Sequence, residues 1–197
     1  MGLSFHFRGQ LNSPDLLMPL IEELTDIAKV NHWKYFVFDR QFPNNKFTEK
    51  PEKVNLYGIA ITPPGCEMVS FTFTSNGKMC DIISLQSNDH LENMEDYEYF
   101  YYLSTKTQYS SVDIHKQLIL LFDYINSKYL NELIFYDEGE YWETRDEQKL
   151  KINFDRNMFF IDSFKSTIEN VPINKGESIE HYISRMAEIV KKNNPHE

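Results

Sequence analysis

Hydrophobic and polar residues alternate with a period of two at the start of the chain, which predicts a β-strand over residues 3–11. A polar break follows, in which Ser13 suits the N-cap position of a helix and Pro14 suits its first turn. From there to about Val30 the apolar residues recur at helical spacing, so we expect an amphipathic helix that covers one face of a sheet. A short apolar run at residues 35–38 predicts the next strand.

The middle of the chain has the pattern of a β-meander that follows a long polar loop at residues 39–55. Apolar residues in phase predict strands over residues 56–62 and 67–74. The Asn-Gly dipeptide at 76–77 favours a tight hairpin turn, because both residues accept the positive φ that such a turn requires. We therefore expect residues 79–85 to return as a further strand.

The second half of the chain predicts another series of elements with similar patterns. They are a strand at residues 99–109, a helix at 112–129 with Ser111 as its N-cap, a strand at 133–136, a hairpin formed by 149–155 and 158–164, and a C-terminal helix at 178–192. The last of these has no counterpart in the first half.

The two halves align without a gap at an offset of 98 positions. Ser13 aligns with Ser111 and Asp39 with Asp137, and the helices and strands between them keep the same register. This predicts two β-α-β units that share one core and are related by a pseudo-two-fold axis. The predicted fold class is α+β, with a mainly antiparallel sheet, helices on one of its faces and an added C-terminal helix.

The order of these elements resembles that of the duplicated TATA-binding-protein-like folds. The resemblance implies a single curved sheet built from both halves, and it implies no activity, because no DNA-contacting motif is matched. We expect one compact domain with four parts. These are a first unit at 1–85, an acidic connection at 86–98, a second unit at 99–170 and a C-terminal helical extension at 171–197.

Composition and charge exclude several classes of protein. With 197 residues, of which 41% are hydrophobic, the chain has enough apolar surface to fold without a metal or a disulfide. Its net charge of −10 repels phosphate backbones, so we expect no nucleic-acid partner. No run approaches the about 18 apolar residues of a membrane span. The two cysteines, Cys66 and Cys80, lack zinc-ligand spacing, so we expect no metal, no cofactor and a reducing, cytoplasmic setting.

The loops that follow the two equivalent strands differ in charge, and the acidic loop is the candidate binding site. Large aromatic side chains beside charged ones are typical of binding anchors. An aromatic residue that packs beneath the tip of a β-hairpin is the alternative interpretation. The candidate residues are Asp137, Glu138, Glu140, Tyr141, Trp142 and Arg145, together with Asp39 from the equivalent loop.

The sequence predicts a non-enzymatic binding protein, in its sharper form an acidic inhibitor or immunity-like protein for a basic partner protein. Established catalytic motifs are missing, and a local histidine–acid cluster of His90 beside Asp89, with Glu92 nearby, is expected to be exposed to solvent. The alternative is a small-ligand enzyme that uses Asp39 and Asp137 as paired carboxylates in a cleft between the units. A structural role for such an aspartate, accepting backbone N–H groups at the start of a loop, competes with both functions.

Overall fold

A computed structural model describes residues 3–51, 55–87 and 101–192. Its strands are β1 (Ser4–Leu11), β2 (Lys34–Val37), β3 (Tyr57–Thr62), β4 (Val69–Phe73), β5 (Leu103–Lys106) and β6 (Leu130–Asp137). Its α-helices are α1 (Leu17–Val30), α2 (Ile82–Ser87), α3 (Val112–Tyr129), α4 (Tyr141–Thr144), α5 (Glu147–Asn170) and α6 (Ile179–Lys192). Short 3-10 turns at Pro14–Leu16 and Pro43–Asn45 complete the regular structure of these ranges.

The strands form two three-stranded antiparallel sheets, in the orders β5-β1-β6 and β2-β3-β4. Backbone hydrogen bonds join the two sheets. Met79 donates to the carbonyl of Gly9 on β1 at 2.9 Å, and Cys80 donates to the carbonyl of Thr72 on β4 at 2.9 Å. The segment that follows the Asn-Gly turn therefore connects β4 to β1, and the predicted α+β class with antiparallel sheets is confirmed.

One hydrophobic core lies between the sheets and the two long helices α1 and α3. The inner face of β1 contributes Phe5 and Phe7, and α1 contributes Leu20 and Leu24, all fully buried. Phe122 of α3 sits at the centre, because its ring packs against rings from β1, β4 and β6 with centroids 4.7 to 6.1 Å apart. Since α1 and α3 belong to the same cluster, both cover the same face of the joined sheets.

The opposite faces of the two sheets differ. Behind β3 and β4, Ala60 and Thr72 are buried, and a second apolar cluster forms from Leu56, Cys80 and Tyr101 with side chains of α2. Behind β5, β1 and β6 most outward side chains remain partly or largely exposed, although Ser4 is buried. We call this surface the open face.

The predicted hairpin of residues 149–155 and 158–164 is wrong, because these residues form the single helix α5. The side chain of Asp146 caps this helix by accepting the N–H groups of Gln148 and Lys149. Leu150 and Phe154, four residues apart, are buried on one side of it. Short apolar runs do not distinguish a strand from a helix that buries one stripe, which explains the error.

The predicted return strand at residues 79–85 is also wrong for most of its length. Met79 forms one bridge with Phe73, and the chain then enters α2 at Ile82. The polar acidic connection at 86–98 lies outside the described residues after position 87. The C-terminal helix is present as α6, which packs against α5.

The two-fold duplication is not shown by the strand pairing. The elements β1-α1-β2 and β5-α3-β6 recur in the same order at about the predicted offset. However, β6 pairs with β1, whereas β2 pairs with β3. The caps also differ, since the Ser111 side chain accepts the N–H of Ile114 and the Ser13 side chain makes no capping bond. The duplication therefore stays a prediction.

Candidate functional site

The candidate loop begins at a buried histidine–aspartate pair. Asp137 is the last residue of β6, and His115 lies in the first turn of α3. The Nε2 atom of His115 is 3.1 Å from Oδ1 and 3.2 Å from Oδ2 of Asp137. Both side chains are fully buried. The pair therefore joins the start of one helix to the end of the strand that follows it.

The carboxylate of Asp137 also accepts three backbone N–H groups from the loop that it begins. Gly139 donates at 2.7 Å, Tyr141 at 2.8 Å and Trp142 at 3.1 Å. Burial by itself would raise the pKa of Asp137, but the hydrogen bond and electrostatic interaction with His115, together with the N–H groups of Gly139 and Trp142, hold that pKa below its ordinary value. The aspartate therefore remains ionised and fixes the path of the loop.

Thr107 completes a chain of three polar side chains. Its hydroxyl oxygen lies 2.9 Å from Nδ1 of His115 and 3.2 Å from the carbonyl oxygen of Leu3. The order hydroxyl, imidazole, carboxylate is the order used to activate a nucleophile. All three side chains are fully buried, so a substrate has no access to the hydroxyl. We call Thr107, His115 and Asp137 the clamp, because their contacts join the backbone just before β1, the start of α3 and the end of β6.

Gly139 is required by close packing against this clamp. A Cβ atom at position 139 would lie 2.9 Å from Nε2 of His115 and 3.0 Å from Oδ1 of Asp137. It would also lie 2.8 Å from a methyl group of Leu150 on α5. Any larger residue would therefore require the side chains around this position to move.

The acidic residues of the loop are satisfied within the protein. Glu138 accepts the N–H of Ser4 at 2.8 Å and lies 3.3 Å from Nε2 of His6. Glu140 forms an ion pair with Lys149, and Glu143 accepts the N–H of Asp137. Each carboxylate therefore has a local role, and the loop does not present a row of unpaired charges.

The two aromatic residues of the loop pack inward, as the alternative interpretation requires. Trp142 is half-buried and its ring centroid is 4.4 Å from that of Phe135. The guanidinium of Arg145 lies 5.1 Å above the Trp142 ring and binds Asp123 at 2.9 Å. Tyr141 packs against Leu3 and Leu150. The underlying element is the short helix α4 and not the expected hairpin tip.

Asp39 is the one predicted site residue that lies elsewhere. It follows β2 with an exposed side chain, and its backbone pairs with Leu56 and Gly58. Asp137 is fully buried in the other sheet, and no hydrogen bond between described residues links the two carboxylates. The structure thus brings six of the seven predicted residues into one loop and leaves Asp39 apart.

A surface that the sequence interpretation missed lies on the open face of the β5-β1-β6 sheet. The ring of His6 stacks between Tyr102 and Tyr136, with centroids 6.2 and 6.0 Å away. Tyr102 and Tyr136 are 40% and 53% exposed, and the neighbouring Ile134 is 47% exposed. We call Tyr102, His6, Ile134 and Tyr136 the aromatic face. The period-two alternation already assigns His6 to the side opposite Phe5 and Phe7, which is the signal that could have found it.

The aromatic face and the acidic loop share Glu138. Its carboxylate contacts His6 at the edge of the face, and its side chain is 33% exposed. Within the ranges that the structure describes, no cluster of three or more potential metal ligands occurs. No helix in those ranges is long and apolar enough to span a bilayer.

Comparison of the chain with protein-family models, curated proteins and solved structures finds no match in any of the three. The resemblance to the TATA-binding-protein-like fold therefore rests on element order alone and stays a prediction.

Proposed function

We propose that this protein is a non-enzymatic binding protein that docks a basic partner protein on the aromatic face. The observation that carries the proposal is the exposed stack of Tyr102, His6 and Tyr136 on a sheet surface that no described element covers. The acidic inhibitor or immunity-like role is the specific form of this proposal.

Tyrosine is well suited to such a contact. Each ring supplies a large area for burial, loses little conformational entropy on binding, and carries a hydroxyl that bonds at a wet rim. Here the two rings are held on either side of His6 before any partner arrives. A preformed surface of this kind binds more tightly than one that must be ordered during association.

The net negative charge of the chain favours a positively charged partner protein. The chain carries a net charge of −10, which speeds the approach of a positively charged protein and weakens with added salt. Glu138 adds a partly exposed carboxylate at the edge of the aromatic face. The aromatic rings would then form the centre of the contact, and the net negative charge of the chain would favour a basic partner.

No observation favours the enzyme that uses Asp39 and Asp137. The first side chain is exposed at the end of β2, and the second is fully buried and bonded by His115 and three backbone N–H groups. A carboxylate with all its acceptor positions occupied is poorly placed to take a proton from a substrate.

The test is affinity capture with the tagged protein, followed by titration of the partner that it identifies. We expect Tyr136→Ala to weaken that complex by about tenfold or more, since central aromatic residues contribute most of the binding energy. Tyr109→Ala is the matched control, because Tyr109 is 65% exposed and lies outside the aromatic face. Equal binding by Tyr136→Ala, or affinity that does not fall with added salt, would contradict the proposal.

A further inference from the structure

The outer edge of β2 is unpaired. Phe38 donates its N–H to the carbonyl of Gly58 at 2.9 Å. Because residues of an antiparallel strand point their backbone groups alternately toward and away from the partner strand, this bond fixes which residues of β2 bond to β3. In that register Lys34 and Phe36 point their backbone groups toward β3, and Tyr35 and Val37 point theirs away from it. Among the described residues, none bonds to the outward N–H and C=O groups of Tyr35 and Val37.

The corresponding edge on the other sheet is covered. The outward N–H of Asp137 on β6 is accepted by the carboxylate of Glu143, and Trp142 packs over Phe135. Helix α4 therefore lies along β6 in the place where a further strand would pair. The edge of β2 has no such cover in the described ranges, which makes it the accessible template for an added strand.

A groove borders β2 on each face of its sheet. The groove on the α1 side has a volume of about 380 Å³ and is lined by Ile21, Tyr35 and Val37 with the charged side chains Glu22, Asp26, Lys29 and Arg40. The groove on the opposite side has a volume of about 340 Å³. It combines the apolar side chains Phe36, Phe38, Leu56, Ile82 and Leu85 with the polar residues Asp39 and Asn55. The side chains of an added strand alternate between two faces, so they would enter these two grooves in turn.

We propose that the outer edge of β2 binds an extended peptide segment of another protein by strand addition. The backbone N–H and C=O groups of Tyr35 and Val37 would pair with the peptide backbone, and the two grooves would bind its side chains. Main-chain pairing with alternate side chains in pockets is an established mode of peptide recognition. This surface is separate from the aromatic face, so the inference goes beyond the proposed function.

The residues that line the two grooves indicate which side chains the peptide should carry. Alternate positions carry apolar side chains that enter the groove of Phe36 and Phe38. The positions between them carry polar or charged side chains toward α1, with an acidic one opposite Arg40. Asp26 and Lys29 lie 3.8 Å apart, whereas Arg40 makes no ion pair with a described residue. A carboxylate on the peptide would complement that guanidinium.

A second copy of this chain fits the edge less well. Its own β2 strand carries Tyr35 and Val37 on one face and Lys34 and Phe36 on the other. In a two-fold antiparallel arrangement, Tyr35 and Val37 of the copy would face the charged groove beside α1. A strand with one apolar and one charged face matches the two grooves better.

The experiment is selection of a random-peptide library displayed on phage against the full chain, followed by titration of the enriched peptides as synthetic ligands. We expect a consensus of alternating apolar and polar residues that includes an acid. Phe36→Asp should weaken binding about tenfold or more, and this variant keeps its fold because Phe36 is 61% exposed. Ile152→Asp on α5 is the matched control and should bind normally, because Ile152 is 63% exposed and lies outside both surfaces.

Amide hydrogen exchange and a charge-reversal variant provide two further tests of peptide binding at β2. The amide protons of Tyr35 and Val37 should exchange freely in the unbound protein and become protected by the peptide. Arg40→Glu should reverse the preference, so that a peptide with lysine in place of its acid binds better. Absence of an enriched consensus, binding unaffected by Phe36→Asp, or protection of these amides in the free protein would overturn the proposal. A dimer seen by sedimentation and abolished by Phe36→Asp would assign the edge to a second copy instead.

Discussion

The imidazole of His115 lies 3.1 Å from the carboxylate of Asp137, and neither side chain reaches the surface. The two residues are 22 positions apart, one at the start of α3 and the other at the end of β6. Their contact holds the helix against the strand that follows it, and the same carboxylate sets the course of the candidate loop. The stability of this region therefore depends on one buried polar cluster.

Removing the histidine should destabilise the protein strongly. His115→Ala removes a hydrogen-bond partner of the buried Asp137 carboxylate, and a buried polar group that loses its partner costs about 1–3 kcal/mol, more when the group is charged. Urea denaturation of the variant and the wild type measures the difference. His181→Ala on the exposed face of α6 is the control and should change stability by less than about 0.5 kcal/mol. A near-neutral His115→Ala would show that the pair contributes little.

The depressed pKa of Asp137 predicts a dependence of stability on acid. Since the folded pKa is lower than the unfolded value of about 3.9, the contribution is fully present above that value and is lost as the pH falls through the folded pKa. The free energy of unfolding should therefore decrease toward low pH. Asp137→Asn should be less stable near neutral pH and should lose less stability on acidification, as measured by urea denaturation across the pH range. Parallel pH profiles for the two proteins would refute this role.

Gly139→Ala tests the close packing at the clamp. The added methyl group would lie within 3.0 Å of side-chain atoms of His115, Asp137 and Leu150, so these side chains or the loop must move. Overpacking of this kind costs about 1–3 kcal/mol. Gly9→Ala is the matched control, because a Cβ there would meet its nearest neighbour at 3.4 Å. Thermal unfolding of both variants should show a lower midpoint for Gly139→Ala only, and equal midpoints would mean that the loop relaxes without strain.

Substitutions at two nearby positions on α3, one buried and one exposed, should differ strongly in their effect on stability. Phe122 is fully buried among aromatic rings, so Phe122→Ala should cost about 3–5 kcal/mol. Leu120 on the same helix is 59% exposed, and Leu120→Ala should be close to neutral. Chemical denaturation of both variants distinguishes these outcomes. A small effect at position 122 would indicate that the sheets and helices do not share the core described above.

Local patterns predicted most of the elements that depend on local physics. The alternation in β1, the helical stripe of α1 and the Ser111 cap of α3 each follow from a few neighbouring residues, and each is present in the structure. The hydrophobic pattern predicted the wrong element at α5, because its short apolar runs are compatible with either a strand or a helix. The packing of Leu150 and Phe154 against Leu3 decided between them.

The composition of the candidate loop was predictable, and its role was not. The residue pattern alone was enough to show that an acidic segment with Tyr141 and Trp142 follows a strand. The inward packing of these rings and the pairing of the carboxylates follow from the three-dimensional arrangement. It also brought His115 to Asp137 and Tyr102 to His6, because contacts between distant strands and helices depend on sheet order and register, which no local pattern encodes. For the same reason the open edge of β2 became visible only once its pairing with β3 was known.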